Sequence, residues 1–286
     1  MPTLRQLRDR VKSLKNTQQI TRAMKMVAGA RIRRAELAMR AARPYAAGIG
    51  EMLRELGRAG GGDDPLLRAR EAKTRAVLLM TADKGLCGAF NSNLVRAGLQ
   101  CADAGGSPAV FYLVGAKGRV QLRKSAHRIE SFWPLATDSA AALAGEIAAK
   151  VRADFLEGAI DEVTLVSSKF VSTIVQRPTP AQLLPVEVGG DAPEQKAANK
   201  NSFEFEPDAK AVLAALLPKY VEFTIFQALL ETQASEFAAR LIAMSNATDN
   251  AGKLIDELTL VMNKTRQAAI TKEILEIVGG AEALKG

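Results

Sequence analysis

The sequence predicts an α/β protein: a long antiparallel coiled coil of the N- and C-terminal helices, with a small Rossmann-like α/β domain inserted between them. Three observations predict it. Apolar residues recur at alternating steps of three and four near both ends of the 286-residue chain, as a coiled-coil seam requires. Between the ends the pattern switches to short β-branched runs separated by helical stretches. Aromatic residues make up 5% of the chain while alanine and leucine abound, which favours long helices over a β-sandwich. The expected organisation is a coil helix over 1–58, an α/β domain over 74–188, a flexible loop over 189–206 and a second coil helix over 207–286.

The first helix carries its seam from Leu4, Leu7, Val11 and Leu14 through Ala28, Ile32 and Met39 to Ile49, Leu53 and Leu56. Gln18, Thr21 and Lys25 interrupt it, so the seam is weakest there. Pro44 predicts a kink or the start of a new turn, because its ring removes one backbone donor and crowds the preceding turn.

The middle of the chain reads differently. RAVLLM (75–80), AVFYLV (109–114) and EVTLVS (162–167) are short apolar runs, with helical stretches near 89–104 and 138–157. This alternation predicts a largely parallel sheet. A shorter strand pair is expected at 170–176 and 182–188. GGDAPEQKAANKNS (189–202) reads as a mobile loop.

The C-terminal seam runs through Ala234, Phe237, Leu241 and Met244 to Met262, Thr265 and Ala269. A period of 3.5 residues held this long implies a left-handed supercoil. Helices that merely lie on a globular core rarely keep one seam for so many turns. One helix ends where the middle domain begins and the other begins where it ends, so a pair of them must be antiparallel. From Pro218 the second helix reaches about 90 Å, against about 80 Å for the first. The last turn or two of the second helix should therefore project beyond its partner. That segment, ITKEILEIVGGAEA (270–283), is apolar at Ile270, Ile274, Leu275, Ile277 and Val278. An apolar helix tip with no cover in its own chain points to a pocket in another molecule.

Charge narrows the partners. The chain carries a net +8, yet residues 1–58 alone hold fourteen Lys and Arg against four acids. Nucleic acid, anionic lipid and an acidic protein surface all suit such a segment. Arg8, Arg10, Lys12 and Lys15 spread around the helix without an aromatic platform, which argues against nucleic acid. The opening MPTLRQLRDRV lacks the apolar stretch of a secretory leader, so none is expected. No window approaches 18 uncharged apolar residues, and no membrane span is expected either. Cys87 and Cys101 read as reduced thiols, and the single His127 leaves too few companions for a metal site.

A glycine-bearing turn, MTADKGLCGAFNSN (80–93), follows the first strand. A strand, a glycine turn and a helix form an anion site in nucleotide-binding folds. Neither G-x-G-x-x-G nor G-x-x-x-x-G-K-[ST] is present. Gly85 and Gly88 fit a tight turn, with Asn91 or Ser92 near a helix start. A nucleophilic triad would have to use His127, in the surface-like KSAHRIESF. The carboxylates are scattered. No catalytic, cofactor or metal site is expected, and an enzyme built on the middle domain has no motif to support it.

Three blocks carry a family resemblance: NTQQITRAMKMVAGARIRRA (16–35), DKGLCGAFNSNL (83–94) and ATDNAGKLIDELTLVMNKTRQAAITKEILEIVGGA (247–281). In this order they resemble the γ subunits of F-type ATP synthases, over nearly the whole chain, and the last block is the most specific. The resemblance implies a rotor shaft that couples proton flow through a membrane c ring to ATP synthesis or hydrolysis at β subunits. It implies one copy inside a ring of three α and three β subunits, an ε subunit held by the α/β domain, and no catalytic residue or cofactor in this chain. It further implies a bacterial protein peripheral to the cytoplasmic face of the inner membrane.

Residue by residue, the resemblance implies that Arg22, Met24 and Lys25 face an acidic β-subunit loop. Arg266, Gln267, Thr271 and Glu273 match positions that hydrogen-bond to β-subunit loops. Ile274, Leu275, Ile277 and Val278 would turn inside an apolar sleeve. Phe203 and Phe205, in NSFEFEPD, match the contact with the c ring. Tyrosine is the more familiar residue at both, so the contact implied there is apolar.

Overall fold

A computed structural model describes residues 3–58, 64–135, 139–187, 206 and 208–283. The chain divides into two compact units, one of Met1–Ala28 with Arg240–Gly286 and one of Gly29–Ala239. Two long helices contribute to both: α1 (Leu4–Arg58) and α5 (Ala209–Ala283).

In the larger unit, five strands form one sheet in the order β3-β2-β1-β4-β5. Along the chain they alternate with helices: β1 (Arg75–Met80), α2 (Phe90–Asp103), β2 (Ala109–Val114), α3 (Ala116–Leu122), β3 (Arg128–Trp133), α4 (Ala140–Leu156), β4 (Glu162–Phe170) and β5 (Gln176–Leu184). The first four are parallel, as β-α-β crossovers demand, and β5 returns antiparallel through a short hairpin. The mixed α/β class with long terminal helices is the one the sequence predicts.

Both faces of the sheet are covered, which is why its central strands are apolar throughout. Ala76, Leu78 and Met80 of β1 pack with Ile49, Leu53 and Leu56 of α1, with α4, and with Leu213, Leu217, Val221 and Ile225 of α5. Val77 and Leu79 face the other way, toward α2 and α3. Gly98 lets α2 come this close: a Cβ there would lie 3.2 Å from Leu79 Cδ2. Truncating a side chain such as Leu79, which is fully buried, costs about 2–5 kcal/mol.

Three expectations need correction. The expected strand at 170–176 is instead the end of β4 followed by a turn, and β5 begins six residues before the expected 182. β3 and α3 were not anticipated. Pro44, where a kink or the start of a new turn is expected, lies inside α1, which continues on both sides of it. Finally, α5 holds an 18-residue window long and apolar enough, by composition, to cross a membrane. The apolar residues from Leu213 to Leu229 lie against the sheet in the core just described, which accounts for their hydropathy.

The edge strand β5 contains two prolines, Pro178 opposite Ser168 and Pro180 opposite Val166. Prolines are tolerated at a sheet edge because one side of the strand has no ladder to lose.

Candidate functional site

In the smaller unit, α1 and α5 run antiparallel. Gln18 Nε2 donates to the Thr248 carbonyl at 3.4 Å, Thr248 Oγ1 lies 2.8 Å from Thr21 Oγ1, and Lys25 Nζ donates to Ser245 Oγ at 3.0 Å. Rising numbers on one helix thus meet falling numbers on the other. The three polar residues that interrupt the α1 seam are joined by α5 into one polar layer. Leu7 and Val11 on α1, and Ala251 and Ile255 on α5, continue the seam in apolar form and are buried. Lys25 is therefore tied into the helix pair, while Arg22 is exposed and Met24 half-buried.

Further along α5 the cover ends. Leu258, Met262 and Thr265 are half-buried, and every residue from Arg266 to Ala281 is exposed. Ile274 is 54% and Ile277 72% accessible. The exposed stretch exceeds the expected turn or two: at 1.5 Å per residue, Arg266 to Ala281 spans about 24 Å. Arg266, Gln267, Thr271 and Glu273 lie on this stretch with Ile274, Leu275, Ile277 and Val278. Thr271 Oγ1 donates to the Gln267 carbonyl at 3.0 Å, within its own helix. The α1 and α5 candidates do not form one cluster: Arg266 stands about 27 Å beyond Thr248 along the helix. Phe203 and Phe205 lie outside the described residues.

In the α/β domain, the polar groups after β1 are engaged with one another. Asp83 Oδ1 accepts from the Ala116 amide at 2.8 Å, and Thr81 Oγ1 accepts from the Gly118 amide at 2.9 Å. Both amides belong to the start of α3. Asn91 Oδ1 accepts from the Ala82 amide at 2.9 Å, and its Nδ2 donates to Cys87 Sγ at 3.2 Å. Gly115 has φ +93, and a Cβ there would collide with the Thr81 carbonyl oxygen. Where this turn meets α3 the chain is thus packed, and the Ala82, Ala116 and Gly118 amides already have acceptors.

His127 sits edge-on to Phe111, 5.3 Å between ring centres, with Nε2 3.3 Å from Asp103 Oδ1. Cys87 and Cys101 form no disulfide. Among the described residues no group of three or more His, Cys, Asp or Glu is placed to hold a metal. A cleft of about 360 Å³ opens between Tyr45, Ala141, Lys219, Glu222, Phe223 and Phe226. Its walls include an edge-to-face ring pair, Tyr45 and Phe223 with 4.6 Å between ring centres, and no paired nucleophile and base.

Comparison with known proteins decides the family. The family model described as ATP synthase matches residues 3–284. The ATP synthase gamma chain of Desulforamulus reducens is 48% identical over 287 residues, covering 100% of both chains. That of Pelotomaculum thermopropionicum is 46% identical over 288 residues, with the same coverage. The chain belongs to the ATP synthase gamma chain family. The chain is therefore a component of the ATP synthase complex, which is membrane-bound.

Solved structures agree in fold. The central stalk and c-ring structure of the Tetrahymena thermophila mitochondrial ATP synthase matches 80% of this chain and 99% of its own, at 25% identity and TM-score 0.62. A chain of the Euglena gracilis mitochondrial enzyme matches 98% of this chain and 94% of its own, at 21% identity and TM-score 0.71.

For a gamma chain, two sets of polar residues went unmarked in the sequence. One is Ser245, the α5 side of the polar layer. The other is Ser168 with Thr232 and Ser235, buried where α5 meets β4. For Thr232 and Ser235 the available signal was two small hydroxyl residues three apart, close to the apolar Leu229, Leu230 and Ala234 of LLETQASEF (229–237).

Proposed function

We propose that this chain is the rotating central shaft of a bacterial F-type ATP synthase, coupling proton flow through a c ring to ATP synthesis or hydrolysis in a ring of three α and three β subunits. The observation that carries the reading is the C-terminal part of α5, from Arg266 to Ala281, exposed on all sides yet apolar at Ile274, Leu275, Ile277 and Val278. A helix end of that kind suits a sleeve supplied by other chains. An apolar bearing also has no strong directional bond to break on each step.

The mechanism needs no catalytic group in this chain. One asymmetric shaft in a threefold ring must touch three identical subunits in three different ways. Where those contacts differ in free energy between β conformations, shaft orientation sets each site's nucleotide affinity. Binding linkage is reciprocal, so hydrolysis drives the shaft and a driven shaft shifts the sites. In this reading Arg22, Met24 and Lys25 meet an acidic β-subunit loop, and Arg266, Gln267, Thr271 and Glu273 meet others. The α/β domain holds ε, and Phe203 and Phe205 rest on the c ring. The complex sits at the cytoplasmic face of the inner membrane.

The test is reconstitution with α and β subunits of a related bacterium. A complex with one copy of this chain per three α and three β, and with raised ATPase turnover, supports the reading. A well-folded chain that fails to join competent partners refutes it.

A further inference from the structure

β4 outruns its neighbour. The parallel register of β1 and β4 ends at Leu79 opposite Val166, whereas β4 continues to Phe170. Backbone groups along a strand point alternately to the two sides, so Ser168, two residues after Val166, aims its N–H and C=O toward β1. There β1 has already ended. Two side chains of α5 stand in its place: the Ser168 amide donates to Thr232 Oγ1 at 3.3 Å, and Ser235 Oγ donates to the Ser168 carbonyl at 3.4 Å. Thr232 Oγ1 also lies 4.0 Å from Sδ of Met80, the last residue of β1. Thr232 and Ser235 are completely buried and Ser168 nearly so.

The location matters. The chain adds β2 and β3 on one side of β1 and then crosses to place β4 on the other. In open α/β sheets the crevice beyond the strand ends at such a reversal is where ligands bind. Here α5 occupies it. The surrounding contacts, Ile32 and Ala35 with Ala234, Phe237 and Ala238, are apolar and mostly small. Apolar contact is non-directional, so it resists separation better than rolling. The hydroxyl bonds are directional. Spaced three residues apart on one helix face, and gripping both ends of one residue's backbone, they fix the azimuth of α5 on the sheet.

We propose that Ser168, Thr232 and Ser235 are the torsional anchor of α5, the contact that stops the helix from turning about its own axis on the α/β domain. The inference rests on the rotor reading and names the positioning residues through which torque passes between helix and domain.

The test uses the assembled complex. With the ring immobilised and a bead on the α/β domain, the angular distribution of the stalled rotor is recorded for wild type, for Thr232→Val with Ser235→Ala, and for Thr232→Ser. The anchor predicts a broader distribution and fewer protons pumped per ATP for the double variant, with ATPase turnover retained, and a narrow distribution for Thr232→Ser. Equal widths in all three overturn it. Should the double variant not assemble, amide hydrogen exchange at Ser168 in the wild-type chain decides. Exchange as slow as at Val166 supports the anchor, and exchange as fast as at Thr173, in the exposed hairpin turn, overturns it. Failure of the wild-type chain to join α and β refutes the rotor reading instead.

Discussion

Thr248 Oγ1 lies 2.8 Å from Thr21 Oγ1, joining the two helices of the smaller unit hydroxyl to hydroxyl across a seam that is apolar on either side. Thr21 in turn donates to the Gln18 carbonyl at 3.0 Å, and Thr21 is buried. A polar layer in a coil costs stability and specifies one alignment of the helices. Thr21→Val alone, or Thr248→Val alone, is expected to cost about 1 kcal/mol, because the remaining hydroxyl loses its partner across the seam and keeps only a carbonyl of its own helix, Gln18 or Met244, while the double replacement is close to neutral. Denaturant unfolding of the four proteins checks this. Additive losses would mean that the two hydroxyls do not act as a pair.

Arg22 and Lys25 separate charge from packing. Arg22 is exposed, so Arg22→Glu changes stability by no more than about 0.5 kcal/mol. Lys25→Glu also removes the bond to Ser245 and costs about 0.5–1.5 kcal/mol. Both are expected to lower proton pumping per ATP in inverted vesicles, since in the proposed reading each puts a like charge before an acidic loop. Unchanged pumping by the double variant would remove these two residues from the β-subunit contact.

A third expectation concerns alkaline pH. Burial first, then the hydrogen bond to Asp154, raises the Tyr112 hydroxyl well above its ordinary value of 10.0. Asp154 also holds Lys150 Nζ at 2.8 Å and raises the lysine pKa. A raised folded-state value means that the folded chain keeps a proton the unfolded chain loses, so the Tyr112 contribution is intact below about pH 10 and is lost as pH climbs above it. Tyr112→Phe should flatten the alkaline limb of stability against pH and cost about 1–3 kcal/mol at neutral pH. Circular dichroism melts across the alkaline range report both. An unaltered alkaline limb in the variant would disprove the assignment.

The tip of α5 gives the fourth. Ile274→Gln with Ile277→Gln removes exposed apolar surface, so the isolated chain should keep its stability within about 0.5 kcal/mol. Incorporation into the α and β ring should weaken by about 1.5–3 kcal/mol for each side chain that the sleeve fully buries. Competition of variant and wild-type chains for limiting ring subunits measures this. Equal incorporation would place the bearing elsewhere.

Much of this was legible in the sequence, and the exceptions have physical causes. The seams and the three central strands were visible because their residues face one apolar environment over many positions. β3 escaped because RIESFW sits at the sheet edge and is only half-buried beyond Arg128, so it lacks an apolar run. α3, at seven residues, is too short to show a period. The hairpin was misplaced because its turn is apolar at Val171, Ile174 and Val175, while Pro178 and Pro180 mark β5 as a breaker. The polar interruption of the coil was evident at Gln18, Thr21 and Lys25, but its α5 partners were not, since serine and threonine in a helix give no sign of which side they face. The anchor was hidden for a different reason: it depends on β4 being longer than β1, a difference that only pairing reveals.

The prolines of β5 have a consequence for the life of the unassembled subunit. Ser168 turns its peptide groups away from β5, so Pro178 opposite it belongs to a non-hydrogen-bonded pair, and Pro178 and Pro180 direct their ring nitrogens to the open side of the sheet. Two donors that an incoming strand would need are missing. A newly made chain, waiting in the cell for the other members of its machine, thereby presents a sheet margin on which a second copy finds no template. Its protection from edge-to-edge polymerisation is covalent and does not depend on a chaperone or on the arrival of a partner.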